Sequence, residues 1–196
     1  MEISTTLIKE LRDATGVSVM QCKKALEEAG GDMEKALVIL KKKSKDIAAK
    51  KADRVFGAGT VQSYVHTTGN VASMVELLCE TDFVSKNEEF KTLARDIAMH
   101  VTASDPEYLK KEEIKEEARM KASEVFAEEI KNKPENIRAQ ILEGKLNAYF
   151  KDKILLEQEF IKNPEVTIAG LIERAIQKFG EKIEIARFTR FSVLGK

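Results

Sequence analysis

The chain has 196 residues, 43% hydrophobic and 34% charged, and its 33 basic and 33 acidic side chains leave a formal net charge of zero. That length supports a real core and one or two domains, and the composition reads as a helix-rich globular protein. A neutral balance gives no argument for a phosphate-binding nucleic-acid surface, and no apolar run nears the roughly 20 residues a membrane helix needs. Met1-Glu2-Ile3-Ser4-Thr5-Thr6 lacks the basic-then-apolar order of a signal peptide, so a cytosolic location is expected. Cys22 and Cys79 stand in separate elements without CxxC spacing and read as buried, reduced thiols acting as small hydrophobes.

Residues 1–40 read as three short helices. Leu7, Ile8 and Leu11 form the first apolar face, and Thr15-Gly16 ends that helix with a glycine cap. Ser18, three residues before Gln21, has capping-box spacing for the second helix, along which Val19, Cys22, Ala25, Leu26 and Ala29 recur at helical period. Gly30-Gly31 stops it and Asp32 caps the third helix, whose apolar side is Met33, Ala36, Leu37 and Leu40. Three helices on short glycine turns resemble a ubiquitin-associated (UBA-like) bundle. Residues 41–56 form a basic linker, and its stretch 41–54 holds seven basic and two acidic side chains around Ile47-Ala48-Ala49. This predicts a semi-rigid, solvated linker helix rather than an anion site.

From residue 57 the period changes to two. Residues 60–66 and 71–80 alternate about the turn Thr67-Thr68-Gly69-Asn70, predicting a hairpin. Val71, Ser73, Val75, Leu77 and Cys79 share one face, with Met74 and Leu78 on the other. Helical period resumes after Asn87, with a stripe of Phe90, Leu93, Ala94, Ile97, Ala98 and Val101 ended at Asp105-Pro106. A helical insertion is expected over about 105–152: one amphipathic helix at 110–133, then another beginning near Ile137. A loop follows around Asn163-Pro164, then a helix over 168–179 stopped by Gly180, and a third strand over 182–194 added to the hairpin. The predicted class is α+β: a three-helix bundle, a basic linker helix, and a 57–196 core in which a small antiparallel sheet packs with helices.

The catalytic inventory is poor. Neither GxxxxGK[ST] nor GxGxxG occurs, so nucleotide binding by this chain is not expected. His66 and His100 are far apart and lack metal-ligand spacing, and Glu112-Glu113 and Glu116-Glu117 read as a solvated helix face. Non-catalytic protein–protein contact is the reading that remains, without cofactor or metal.

One stretch stands out for that role: Cys79-Glu80-Thr81-Asp82-Phe83-Val84-Ser85-Lys86-Asn87, between the second strand and a helix start. An acid followed at once by a phenyl ring at a corner serves folding poorly and suits entry into another protein, although spacing alone favours a core position for Phe83. Together with Thr15-Gly16-Val17-Ser18-Val19-Met20-Gln21-Cys22-Lys23-Lys24-Ala25-Leu26, it resembles the elongation factor Ts family, the guanine-nucleotide exchange factors for elongation factor Tu (EF-Tu). Leu155-Leu156-Glu157-Gln158 and Arg187-Phe188-Thr189-Arg190-Phe191 extend the resemblance over most of the chain.

That resemblance implies the following. The Asp-Phe pair enters the partner's GTPase domain, wedges between helices beside the nucleotide site and displaces Mg²⁺, so that GDP leaves and GTP can bind. Thr81, Asp82, Phe83 and Val84 would form that contact. Leu11, Arg12, Val19 and Met20 would form a second one, against a helix of the same domain. Pattern alone puts Leu11 and Val19 inside the bundle. Short members work as homodimers, and the apolar C-terminal strand, which carries no cysteine, would pair noncovalently across a twofold axis. Cys79 stands where many relatives carry asparagine, and Val17-Ser18-Val19 replaces a more glycine-rich run. Two other classes remain open: an adaptor whose three-helix domain binds helical or ubiquitin-like partners with Phe83 dispensable, and a metabolic enzyme, which needs a titrating cluster the sequence does not display.

Overall fold

The computed structural model describes residues 3–195, leaving aside the side chain of Leu194. Met1 and Glu2, with which the leader expectation and the bundle begin, and Lys196, with which the core ends, lie outside the described residues. In chain order the elements are α1 (Thr5–Thr15), α2 (Val19–Glu28), α3 (Met33–Lys50), β1 (Ala58–Val65), β2 (Val71–Cys79), α4 (Asp82–Ser85), α5 (Glu88–Ser104), α6 (Glu116–Glu129), α7 (Glu135–Lys151), β3 (Glu159–Phe160), β4 (Asn163–Thr167), α8 (Ile168–Phe179) and β5 (Glu184–Ser192). The class is α+β, and no described helix is long and apolar enough to cross a membrane.

Side-chain caps start the first three helices. Ser4 Oγ accepts from Leu7 N at 3.2 Å, Ser18 Oγ from Gln21 N at 3.4 Å and Asp32 Oδ1 from Lys35 N at 3.0 Å, each satisfying a first-turn donor that the helix itself leaves free. Gly16 closes α1 at φ +69°, a value that suits glycine, and its N–H reaches Arg12 O at 2.7 Å. Ile8, Leu11, Val17, Cys22, Ala25, Leu26, Ala36 and Leu40 fill the bundle core. Two expected core positions are not filled as read. Val17, in the turn, takes the space expected for Val19, which is left exposed on the first turn of α2, and Leu37 is turned outward beside buried Ala36.

The solvated-linker expectation is corrected. Instead of a separate linker, α3 continues unbroken to Lys50, and its second half lies on α8. Ser44 is buried there, its hydroxyl 2.8 Å from Leu40 O and 2.5 Å from Gln177 Oε1, while Gln177 Nε2 donates to Gln21 Oε1 at 2.7 Å. Ile47 and Ala48 pack on the main core. The charged composition hid this, because one serine and two apolar side chains, Ser44, Ile47 and Ala48, are enough to seat one face of a lysine-rich helix.

The main sheet has strand order β1-β2-β5, antiparallel throughout, with Ser63 opposite Met74 and Met74 opposite Thr189. The C-terminal strand ends at Ser192, and a 3₁₀ turn over Val193–Gly195 follows it. Ser73, Val75, Leu77 and Cys79 face inward against Phe90, Ala94, Ile97, Ala98 and Val101 of α5, and Ile168, Ile172, Ala175 and Ile176 of α8 complete this core. Ser73 Oγ, the one polar side chain on the inner face of β2, donates to Ala98 O at 2.5 Å, so its burial leaves no donor unmet. Phe90 and Phe179 meet edge-to-face at 5.9 Å.

The insertion departs from expectation. A 3₁₀ turn over Lys111–Glu113 and an extended Lys115 delay the helix expected at 110, so α6 begins at Glu116. Glu113 folds back to accept from Leu109 N at 2.8 Å, which favours the turn. α7 runs straight through Gly144. A small separate core of Leu146, Phe150 and Ile154, with Tyr108, Ile114, Ala122, Phe126 and Leu142 packed against it, holds this arm. The loop around Asn163-Pro164 forms a two-stranded sheet of β3 and β4.

His100 is a buried structural residue. Ile161 N–H donates to Nδ1 at 3.4 Å, which leaves Nε2 as the protonated nitrogen facing Gln158 Oε1 at 2.9 Å. Gln158 Nε2 in turn donates to Asp152 O at 2.6 Å. Burial lowers the His100 pKa below 6.5, against the opposing effect of the Gln158 hydrogen bond. The unfolded chain therefore takes up this proton more readily than the folded one, so the stabilisation is complete above pH 6.5 and declines as pH falls below it. Urea midpoints are expected to be lower at pH 5.5 than at pH 7.5, with a flatter slope for His100→Asn; equal slopes for the two proteins would contradict this account.

Candidate functional site

The corner between β2 and α5 is built from opposing local demands. β2 delivers Cys79 inward, and α4, one turn of helix, then reverses the direction of the chain. Val84 points down into the main core and is buried, whereas Phe83, its neighbour on that turn, stands 80% exposed. Adjacent positions on a helical turn lie about 100° apart, so seating Val84 turns Phe83 outward. The structure thus rejects the core position that spacing favours for Phe83. Burying such a ring contributes about 1.5–3 kcal/mol, and here that contribution is not used for folding.

Asp82 is exposed beside it and accepts from Lys86 Nζ at 2.6 Å. That hydrogen bond, and the lysine charge with it, hold the Asp82 carboxyl below its usual range. Thr81 occupies the N-cap position of α4 without capping it, because its hydroxyl is engaged elsewhere. Cys79 S–H donates to Thr81 O at 3.2 Å from beneath. Burial, aided by the charge of Glu181, raises the Cys79 thiol to about 11, so it stays protonated and serves as a donor.

The backbone of this corner is tied to a segment remote in sequence. Glu181 Oε2 accepts from both Glu80 N and Thr81 N at 3.0 Å, and its Oε1 accepts from Thr81 Oγ1 at 2.5 Å. In the opposite direction, Glu80 Oε1 accepts from Lys182 N at 2.5 Å, and Arg54 Nη1 lies 3.1 Å from both Glu80 oxygens. Lys182 Nζ reaches Ala52 O at 2.6 Å. Gly57 passes so close to this junction that a Cβ there would stand 2.7 Å from Glu80 O, which excludes any side chain without a backbone shift. Glu80 lies in the stretch that stands out in the sequence but is given no role there, and sequence reading misses Glu181, Lys182 and Arg54; the local signal for Glu181 is a carboxylate placed directly after the Gly180 helix stop.

The second group of expected site residues lies on the bundle. Met20 is 68% exposed and Val19 51%, both on the first turn of α2, and Arg12 is exposed near the end of α1. Leu11 is fully buried, so it can act only by supporting that surface. The two groups stay on separate bodies, the corner on the main core and the α1–α2 patch on the bundle, and α3 belongs to both.

Among the described residues no three His, Cys, Asp or Glu side chains converge as a metal site. A cleft of about 470 Å³ between α3, β4 and α8 is lined by Lys41, Ser44, Glu173, Arg174 and Gln177 among others, with no histidine or cysteine in its lining.

The Glu80 carboxyl is held below 4.5, first by the Lys182 N–H and then by Arg54. A depressed folded-state value stabilises the corner fully above pH 4.5 and is lost as pH falls through it. Protection of the Lys182 amide is therefore expected to be constant from pH 7 to pH 5 and to fall only in more acidic solution. A fall between pH 7 and pH 5 would contradict the hydrogen bond.

A model of the family described as Elongation factor TS matches residues 3–196. Elongation factor Ts of Carboxydothermus hydrogenoformans is 47% identical over 193 residues, 97% of this chain and 89% of that protein. The elongation factor Ts proteins of Thermosipho melanesiensis and Thermodesulfovibrio yellowstonii are also 47% identical, covering 97% and 98% of this chain and 98% and 97% of their own. The likeness therefore spans both the bundle and the core.

Proposed function

The chain belongs to the elongation factor Ts family of translation elongation factors, and on that premise we propose that it is a guanine-nucleotide exchange factor for EF-Tu. The observation that carries the reading is Phe83, an exposed ring on a backbone held by hydrogen bonds from a distant segment. A GTPase holds its nucleotide through backbone N–H groups around the phosphates and a bridging Mg²⁺. Phe83 enters the GTPase domain as a wedge, with Asp82 beside it; Mg²⁺ is displaced, the phosphate charge loses its balance, and GDP leaves. Val84 anchors the wedge from below and Thr81 fixes its base.

No bond is made or broken by this chain. A factor that favours the nucleotide-free partner weakens nucleotide binding by the same coupling by which nucleotide weakens its own. Arg12, Val19 and Met20 form the second contact, on a helix of the same domain, with Leu11 behind them. The exposed Met20 thioether suits a foreign surface because it repacks readily. Neither nucleotide, nucleic acid nor membrane is bound directly, and the working location is the cytoplasm.

We also propose that the protein works as a noncovalent homodimer. The outer face of the sheet sets Val65, Ala72 and Phe191 in one row and Ser63, Met74 and Thr189 in the next. Phe191 is 64% exposed, with Val61 and Val65 similarly open. Glu76 and Arg187 on this face neutralise each other at 2.6 Å. A neutral apolar face of this kind is self-complementary about a twofold axis, and both cysteines are buried elsewhere.

Two measurements test these readings. Phe83→Ala should leave the fold intact and slow stimulated release of fluorescent GDP from EF-Tu by about tenfold or more; acceleration equal to that of the wild type would keep the exchange function and move its mechanism away from Phe83, and no acceleration by the wild type would favour the adaptor reading. Sedimentation at micromolar concentration should show a dimer that Phe191→Asp converts to a folded monomer, and a wild-type monomer would refute the second reading.

A further inference from the structure

We infer that Glu181 is the positioning residue of the Asp82-Phe83 corner: from the turn before β5, its carboxylate fixes the backbone that presents the ring. The geometry is independent of any partner, while its consequence for nucleotide release rests on the exchange reading above.

What holds residues 79–87 in place can be followed bond by bond. The β2–β5 ladder ends at Leu78 opposite Glu184, and β1 pairs with β2 only as far as Cys79, where Gly57 N donates to Cys79 O at 3.2 Å, so neither ladder holds Glu80 or Thr81. α4 has four residues, too few to be stable alone, because a first helical turn is costly to nucleate. The Thr81 hydroxyl, which by position would cap α4, donates instead to Glu181. Asp82 is occupied by Lys86 on the same turn. The Cys79 thiol bond to Thr81 O is local and weak by its chemistry. Val84 anchors the far side of the turn.

Glu181 does what none of these can. It accepts two backbone N–H groups and one hydroxyl from Glu80 and Thr81, the residues immediately before Asp82. Bonds to an ionised acceptor are roughly twice as strong as neutral ones. The bond from Lys182 N to the Glu80 carboxylate makes the junction two crossed carboxylates: Glu181 holds the backbone of Glu80 and Thr81, and Glu80 holds that of Lys182, the neighbour of Glu181. Side chains thus continue the pairing of β2 with the chain before β5 past the end of the ladder. The ordering entropy of the corner is met during folding rather than when the partner is bound, which is how preorganisation raises the yield of each encounter.

The test is Glu181→Gln, which keeps size and removes the charge. Three quantities are read: amide hydrogen exchange of Glu80 and Thr81, the thermal midpoint, and the maximal rate of fluorescent GDP release at saturating factor, each also in a Phe83→Ala background. The expected result is a folded protein with faster exchange at those two amides, a release rate lowered roughly tenfold, and no further loss when Phe83 is already alanine. A wild-type release rate, or an equal fractional loss in both backgrounds, would overturn the positioning role; the second outcome would mark Glu181 as merely structural. Should Glu181→Gln fail to fold, Thr81→Val deletes only the hydroxyl bond and is expected to lower the rate severalfold, an unchanged rate overturning the inference. Wild-type protein that fails to accelerate GDP release would sink the exchange reading itself, whereas acceleration that Phe83→Ala leaves intact would remove the ring from the mechanism and overturn this inference alone.

Discussion

Everything the two exposed clusters can do together depends on α3 being one helix. Its 18 residues span roughly 27 Å at 1.5 Å per residue. The first half closes the bundle around Ala36 and Leu40, and the second half lies on α8 through Ser44, Ile47 and Ala48. A flexible connection would leave the α1–α2 patch and the Phe83 corner to search for a partner separately. A helix fixed at both ends makes their separation a property of the fold. The Gln21–Gln177–Ser44 chain reinforces this, because the buried Gln177 amide would lose the half-buried Gln21 as its acceptor if the bundle swung away.

The corner shows how a protein keeps an apolar ring in water without losing order around it. Local hydrophobic forces act against the arrangement, since Phe83 would gain by folding inward. Polar bonds from two other segments outweigh that tendency. Arg54 arrives from the end of the α3 region, Glu181 and Lys182 from the turn after α8, and all converge on Glu80 and Thr81. Such a site is specified by side chains about 100 residues apart, and mutations there act on the ring without touching it.

Legibility in the sequence followed the range of the interactions. Caps were readable because they are local: Ser18 accepts from Gln21 N, the position its spacing foretells, and Asp32 caps the third helix as expected. The inner face of β2 and the stripe of α5 were readable because period encodes burial. Val19 was misread because periodicity cannot tell a core position from the rim of a bundle, where Val17 takes its place. The linker was misread because its lysine-rich composition masks the few positions, Ser44, Ile47 and Ala48, that are packed. The exposure of Phe83 came from the resemblance, and spacing argued the other way. The crossed carboxylates were invisible, because an isolated Glu in a turn has no pattern and its partners are set by tertiary structure alone.

The arm of α6 and α7 carries a different consequence. No residue of α6 is fully buried, and the arm's small core lies toward its base, at Leu146, Phe150 and Ile154. Beyond Ile130, which is buried at the end of α6, residues 131–140 are exposed and make no contribution to the main core. Local stability must therefore grade along the arm, from the global value at its root to near zero at its tip. Evolution can lengthen or shorten such a segment by whole turns, since added residues lie beyond every contact that the sheet and α8 require. The same gradient makes the tip the natural place for a first proteolytic cut or for an inserted tag.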